Sequence, residues 1–385
     1  MKIRLFIILI ILSLTHCKTA TTNKIIQLMA KPPFLDESIL GDQPQIKSVE
    51  QVFSLNPIQR KDFLKSYQDN KNLHPSRRIL GYLQDHLKSF NYYSDTLIAS
   101  DTLAQNSGNC LSLAILTKSL VDIAGIGIRY EMVKTTPVFQ KANDILLSSQ
   151  HVRAVLYDTQ IDKGTIPSKF RKSITIDYFP SEGTQTLRWI DEEEFFSLFY
   201  INKAAEALTL DQITLAFWYI KEALHLKPSN VQAISMMGVI HNRLGYPEYA
   251  EKWYLYGLSL GKDEFELLHN YYSFLLRSGR EKEAKVIAIR LEKYDTDNPF
   301  DWIALGDDAF NDKNYILAIK LYKKAMIMAN YLHEPYAGIA RSEYMLGNPK
   351  DARKAMKKAL ENTHKQDILT VYQAKYELFS RKLNN

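Results

Sequence analysis

The chain has 385 residues, 46% of them hydrophobic and 24% charged, values that allow two folded domains plus a leader and exclude a disordered or fibrous chain. Its 49 basic and 43 acidic residues leave a net charge of +6 with no Lys/Arg block. That balance points away from nucleic acid and from binding an anionic membrane through charge.

The first element is a leader. Lys2 and Arg4 precede an unbroken apolar run from Leu5 to Leu12 and a short transition to Cys17. A run of that length is too short to cross about 30 Å of hydrocarbon, so residues 1–17 read as an export signal. The end of the leader, Leu14-Thr15-His16-Cys17, resembles the lipobox of bacterial lipoproteins, with His16 where that family carries a small residue. The resemblance implies removal of the leader, lipidation of Cys17 and residence in the bacterial cell envelope, on the periplasmic side, with the membrane reached through a lipid anchor. The polar stretch from Lys18 to Asn23 then serves as a tether. Only two cysteines exist. If Cys17 carries lipid, Cys110 has no disulfide partner.

Residues 18–90 form the tether and a helical lead-in. Helices are predicted over Asp62–Tyr67, after Pro57, and over Ser76–Phe90, where Ile79, Tyr82, Leu83 and Leu87 fall on one face. Residues 91–196 carry the chemistry. Leu113, Leu116, Leu120 and Ala124 keep helical spacing until Gly125 stops the run, which puts Cys110 in the first turn of an apolar helix capped by Ser107 or Asn109. The positive end of a helix favours thiolate over thiol. A strand over Ile128–Val133 is followed by the strands His151-Val-Arg-Ala-Val-Leu-Tyr and Ser173-Ile-Thr-Ile-Asp177-Tyr-Phe. In the latter, alternation puts Ser173, Thr175 and Asp177 on one face.

A helix with Cys, a strand opening with His and a next strand with Asp, together with the Gly-Asn-Cys-Leu-Ser run, resemble the transglutaminase-like branch of the papain-type fold over Asp95–Pro180. The resemblance implies an α+β domain in which Cys110 is the nucleophile, His151 takes and returns its proton, and Asp177 orients the imidazole. Val152 and Arg153 stand where common members have an aromatic. Taken singly, each residue has a plainer reading: a core thiol, a surface histidine, a capping aspartate.

From Ser197 the chain repeats. Ala216, Ala250, Ala284, Ala318 and Ala352 follow one another at 34 residues. Ala223, Gly257, Ala325 and Ala359 keep the same step, as do Gly245, Gly279 and Gly347. Small residues suit close helix packing and the glycines suit the turn inside a helical hairpin. With Trp302, Leu305, Gly306, Ala318, Tyr322 and Ala325, residues 197–367 resemble five tetratricopeptide repeats, an all-α solenoid whose groove holds a protein or peptide partner. Repeat three departs, with Tyr272 for the glycine and Ala288 for the aromatic. Residues 368–385 read as a capping helix.

The expected architecture is therefore an α+β transglutaminase-like domain followed by an all-α tetratricopeptide solenoid, with no metal or cofactor. Two functions follow. One is a cysteine acyl-transfer enzyme of protease, deamidase or transglutaminase type, acting on amide or peptide bonds of a protein held by the repeats. The other is a non-catalytic adaptor in which the repeats do all the binding.

Overall fold

Helix starts along the chain are written in capping residues. In the computed structural model the described residues are 32–33, 40, 42–91, 95–134, 139–142, 145–148, 151–158, 173–176, 185–261, 265–292, 299–363 and 366–381. The chain divides into two compact units, Met1–Lys262 and Asp263–Asn385.

The first unit opens with α1 (Val49–Val52), α2 (Pro57–Asp69) and α3 (Pro75–His86), then α4 (Ala99–Gln105) and α5 (Cys110–Ala124). Ser48 and Asn56 cap α1 and α2 through reciprocal bonds with Gln51 and Gln59, and Pro57 and Pro75 open α2 and α3 at positions that need no N–H. Six strands follow: β1 (Gly127–Lys134), β2 (Phe139–Ala142), β3 (Ile145–Ser148), β4 (His151–Tyr157), β5 (Ser173–Ile176) and β6 (Gln185–Ile190). Four of them form an antiparallel sheet in the order β5-β4-β1-β6, and β2 and β3 form a separate hairpin. The sequence pattern indicates α2, α3, α5, β1, β4 and β5, but not α1, α4, the β2–β3 hairpin or β6.

Four more helices complete this unit: α6 (Glu192–Thr209), α7 (Ile213–Leu226), α8 (Val231–Arg243) and α9 (Pro247–Ser259). They pair as two hairpins, α6 with α7 and α8 with α9. One hydrophobic core runs from Val52 and Phe63 through Leu116, Tyr130 and Val152 to Phe195, Ala216 and Trp253. It crosses the expected boundary at 196/197 without a break, and α6 starts before Ser197. Tyr130 of β1 stacks on Phe195 of α6, with ring centroids 3.8 Å apart. A further tie is Lys118 of α5, which reaches Glu192 at 3.0 Å.

The second unit holds three hairpins and a last helix: α10 (Phe265–Arg277) with α11 (Glu281–Glu292), α12 (Pro299–Asn311) with α13 (Tyr315–Met328), α14 (Glu334–Met345) with α15 (Pro349–Asn362), and α16 (Gln366–Arg381) against α15. Five hairpins thus stand where five repeats were expected, two in one unit and three in the other. All five ladder alanines lie on second helices and are at most 1% exposed, because a larger side chain there would hold the two helices apart. The turn inside each hairpin needs one left-handed residue. Gly245, Gly279 and Gly347 supply it, and Asp211 and Lys313 adopt the same conformation at the equivalent places.

Gly238 and Gly306 face the ring of the tyrosine on the partner helix, Tyr254 and Tyr322. Repeat three inverts this pair. Tyr272 sits on the first helix and Ala288 on the second, so the ring comes from the other side and leaves a cavity of about 20 Å³ lined by both and by four leucines. The departure seen in the sequence is a reciprocal exchange.

Candidate functional site

Two places concentrate chemistry, one in each unit. In the first unit Cys110 opens α5 as a partly buried thiol. Asn109, one of the two caps expected, is the N-cap: the Ser112 N–H donates to Asn109 Oδ1 at 2.9 Å, and the Asn109 N–H donates to Ser112 Oγ at 3.3 Å. Ser112 Oγ also accepts from the Leu97 N–H at 2.9 Å, and Asn109 Nδ2 donates to Thr96 Oγ1 at 2.7 Å. Thr96 in turn is held by α6: Asn202 Nδ2 donates to its hydroxyl at 3.2 Å and its own N–H donates to Glu206 Oε1 at 2.7 Å. The turn before Cys110 is therefore clamped from the first hairpin.

That turn is tight. Asn106 is left-handed and Gly108 has φ 144°. The Gly108 N–H donates to the Asn91 carbonyl at 3.1 Å, while the Asn91 N–H donates to the Asn106 carbonyl, also at 3.1 Å. A Cβ on Gly108 would lie 2.6 Å from Ser112 Cβ.

The topology places Cys110 and His151 at one end. The chain reverses at Gly125 between α5 and β1, and α5 packs along β4 and β1. The 15 residues of α5 rise about 21 Å, and β1 from Gly127 to Val133 covers about 20 Å. Val133 pairs with His151, the first residue of β4. β5 runs toward the same end, with Ile176 opposite Ala154. The next residue, Asp177, lies outside the described residues, as does Cys17. Beside His151, Arg153 pairs with Glu131 across the β1–β4 ladder at 2.6 Å.

In the second unit the first helices of successive hairpins are joined by polar side chains. Between α10 and α12, His269 Nε2 lies 2.8 Å from Asp308 Oδ2, Ser273 Oγ donates to the same oxygen at 3.2 Å, and the Tyr272 hydroxyl donates to Asp312 Oδ2 at 3.4 Å. Burial holds the Asp312 carboxyl above its ordinary range, reinforced by the charges of Asp308 and Glu281 and opposed by the Tyr272 hydrogen bond. Burial and the nearby Asp312 and Asp308 likewise raise the Tyr272 phenol. Between α12 and α14, Arg341 Nη2 donates to Asp307 Oδ1 at 2.8 Å and its guanidinium lies 4.9 Å from the centroid of the Phe310 ring.

The sequence alone names none of the residues in this polar row as binding groups. A usable signal was present in the i, i+4 pair Asp308 and Asp312 and in Arg341 standing one repeat after Asp307. Among the described residues no group of His, Cys, Asp and Glu is arranged to hold a metal ion, and no helix is long and apolar enough to cross a membrane.

No family model matches the chain, and no curated protein matches it. Similar solved structures include Pseudomonas aeruginosa PilF, at 17% identity over 50% of this chain and 92% of that one with a TM-score of 0.39. YrrB, described as a TPR protein with an unusual peptide-binding site, is 16% identical over 48% of this chain and 94% of its own, with a TM-score of 0.34. Yeast Tom70 is 14% identical over 49% of this chain and 40% of its own, with a TM-score of 0.42.

Proposed function

We propose that this chain is a protein-binding scaffold of the tetratricopeptide type, which docks an extended peptide or partner helix on the first helices of its hairpins. The observation that carries the reading is the row of half-buried polar and aromatic groups running from α10 to α14: Asp308, Asp307, Phe310 and Arg341 share one helix layer, while the repeated alanines are spent on packing within hairpins. Partly desolvated polar groups beside a ring are what a binding face needs, since they gain from a partner what water no longer supplies. The YrrB description adds a peptide site in a structure of similar repeats. Export and lipid anchoring through Cys17 remain part of the proposal and would place the scaffold at a membrane surface.

The test is selection of phage-displayed random peptides on the full chain, followed by affinity measurement. Selected peptides should bind with micromolar affinity, and Phe310→Ala with Arg341→Ala should weaken them by about tenfold or more, roughly 1.4 kcal/mol. Failure to enrich any peptide, or binding indifferent to both substitutions, defeats the reading.

A second reading draws on the backbone topology, in which α5 starts at Cys110 and β4 starts at His151 toward the same end of the α5–sheet layer. It is a thiol acyl-transfer centre, in which the Cys110 sulfur attacks an amide carbon, the amine leaves with a proton delivered by His151, and water or a second amine cleaves the thioester, with Asp177 orienting the imidazole. The check is the pH profile of Cys110 alkylation in the folded chain. A thiolate forming below the free-cysteine value of about 8.5, and shifting upward in His151→Ala, supports it. A thiol that reacts only on unfolding removes it and leaves the scaffold reading standing.

A further inference from the structure

We propose that the outer face of the second helices in the second unit, on α11, α13 and α15, docks on the surface of an anionic lipid bilayer. This face is distinct from the first helices that dock peptide in the scaffold reading, and neither function requires the other. On α13, Ile316, Lys320, Lys323 and Ile327 follow at steps of four, three and four, which keeps them on one stripe. One repeat later, Lys350, Lys354, Lys357 and Glu361 hold the equivalent positions on α15, and one repeat earlier Lys282, Val286 and Ile289 hold them on α11. All of these residues are exposed. In each helix the buried ladder alanine comes two positions after the first member of the set, about 200° round the helix, so the stripe points away from the partner helix. At the end of α15, Asn362 Nδ2 donates to the Asn330 carbonyl just beyond α13 at 2.8 Å, so the two stripes end beside each other.

The chemistry of the face is lysine and aliphatic. Val286, Ile289, Ile316 and Ile327 are 60%, 55%, 74% and 80% exposed. A single surface aliphatic needs no explanation, but four on equivalent stripes among six lysines call for one. Acids do not cancel the lysines: α13 contains none, and Glu283 and Glu361 are engaged by Arg280 and Lys358 at 2.7 Å each. A protein partner favours aromatic and arginine contacts and disfavours lysine, and nucleic acid is held by arginines and stacked rings. None of the stripe positions carries either. A bilayer suits what is there: ammonium groups reach the phosphates, aliphatic groups enter the acyl boundary, and lysine stems bridge the two depths. The lysines are scattered from 282 to 357 and form no block in the sequence. The attraction to an anionic membrane that overall composition argued against therefore arises from the repeat, which gathers them on one face.

The test is flotation of the full chain with vesicles of phosphatidylcholine alone and with about 30% phosphatidylglycerol, at about 100 mM and about 500 mM salt. Binding to the anionic vesicles should exceed binding to the neutral ones by about tenfold or more at the lower salt and fall at the higher. Lys320→Glu, Lys354→Glu and Lys357→Glu together should remove that preference. The matched control is Lys61→Glu, Lys65→Glu and Lys71→Glu, which makes the same change in net charge at exposed positions of the first unit and should keep most of it. Ile316→Ser with Ile327→Ser should weaken anionic-vesicle binding by about threefold or more and leave its salt dependence in place. Attachment through the leader or Cys17 is common to all these chains and cancels in the comparison. Equal binding to both vesicle types, or equal loss in the two triple variants, overturns the proposal. So does salt-sensitive binding of polyglutamate through Lys320, Lys354 and Lys357 without any preference for anionic vesicles, which would give the face to an acidic protein. Peptides selected on the first helices should bind the Lys320, Lys354 and Lys357 variant unchanged, so either reading can fail without the other.

Discussion

Gly306→Ala is expected to destabilise the second unit by about 2 to 3 kcal/mol, the upper part of the range for overpacking a filled core. A Cβ at this position would lie 2.6 Å from Tyr322 Cε1 and 2.7 Å from Cδ1. The ring has nowhere to retreat. Tyr322 is fully buried, its hydroxyl donates to Asp307 Oδ1 at 2.7 Å, and on its other side Gly338 is just as close, with an added Cβ 2.4 Å from the ring. The tyrosine of the fourth hairpin is thus held between glycines of α12 and α14, and its substitution couples two hairpins. Tyr322→Ala should itself cost about 3 to 5 kcal/mol through the cavity it leaves. The double variant Gly306→Ala with Tyr322→Ala should cost clearly less than the sum, since the added methyl then meets no ring. Urea unfolding of the single and double variants measures this, and additive effects would refute the sandwich. The third hairpin already displays the tolerated alternative, Tyr272 with Ala288, where ring and small residue have changed places together.

Gly108→Ala is the second large effect, at about 2 to 4 kcal/mol, and it acts where Cys110 is presented. Two penalties add. The backbone at φ 144° is one that a side chain disfavours, and the new Cβ would lie 2.6 Å from Ser112 Cβ and 2.9 Å from its Oγ. Ser112 cannot step aside without releasing the Asn109 cap and the Leu97 N–H, and loss of such a cap costs about 1 kcal/mol by itself. The expected signature is local: amide exchange at residues 110–113 accelerates while the core of the second unit keeps its protection. Gly81→Ala is the matched control, because a Cβ there meets nothing within 4 Å and alanine in the interior of α3 should be neutral or stabilising by up to about 1 kcal/mol. Unchanged exchange at 110–113 in Gly108→Ala would mean that the turn does not hold the start of α5.

The clamp on that turn also bears on both functional readings. Thr96 joins the cap of α5 to Asn202 and Glu206 of α6, so the first hairpin takes part in holding the cysteine helix as well as extending a row of repeats. The continuous core from Val52 to Trp253 makes the same point in apolar terms.

What the sequence determined by itself is what neighbours in the chain decide among themselves. The alanine ladder, the left-handed glycines and the Asn109 cap were legible because helix periodicity, a hairpin turn and an N-cap each depend on residues within a turn or one repeat. The alternation in Ser173–Ile176 was legible for the same reason: Ile176 is buried and Ser173 exposed. Tertiary structure alone decided the rest. His269 meets Asp308, and Ser273 reaches the same carboxylate across 35 positions, because the packing of one hairpin on the next sets which turns of α10 and α12 face each other, and that register is a property of the packed interface. The same holds for Gly306, Tyr322 and Gly338, and for Thr96 reaching α6 over 106 and 110 positions. Short-range rules name the elements, and the fit of side chains between them selects which polar groups lose water together and so become sites.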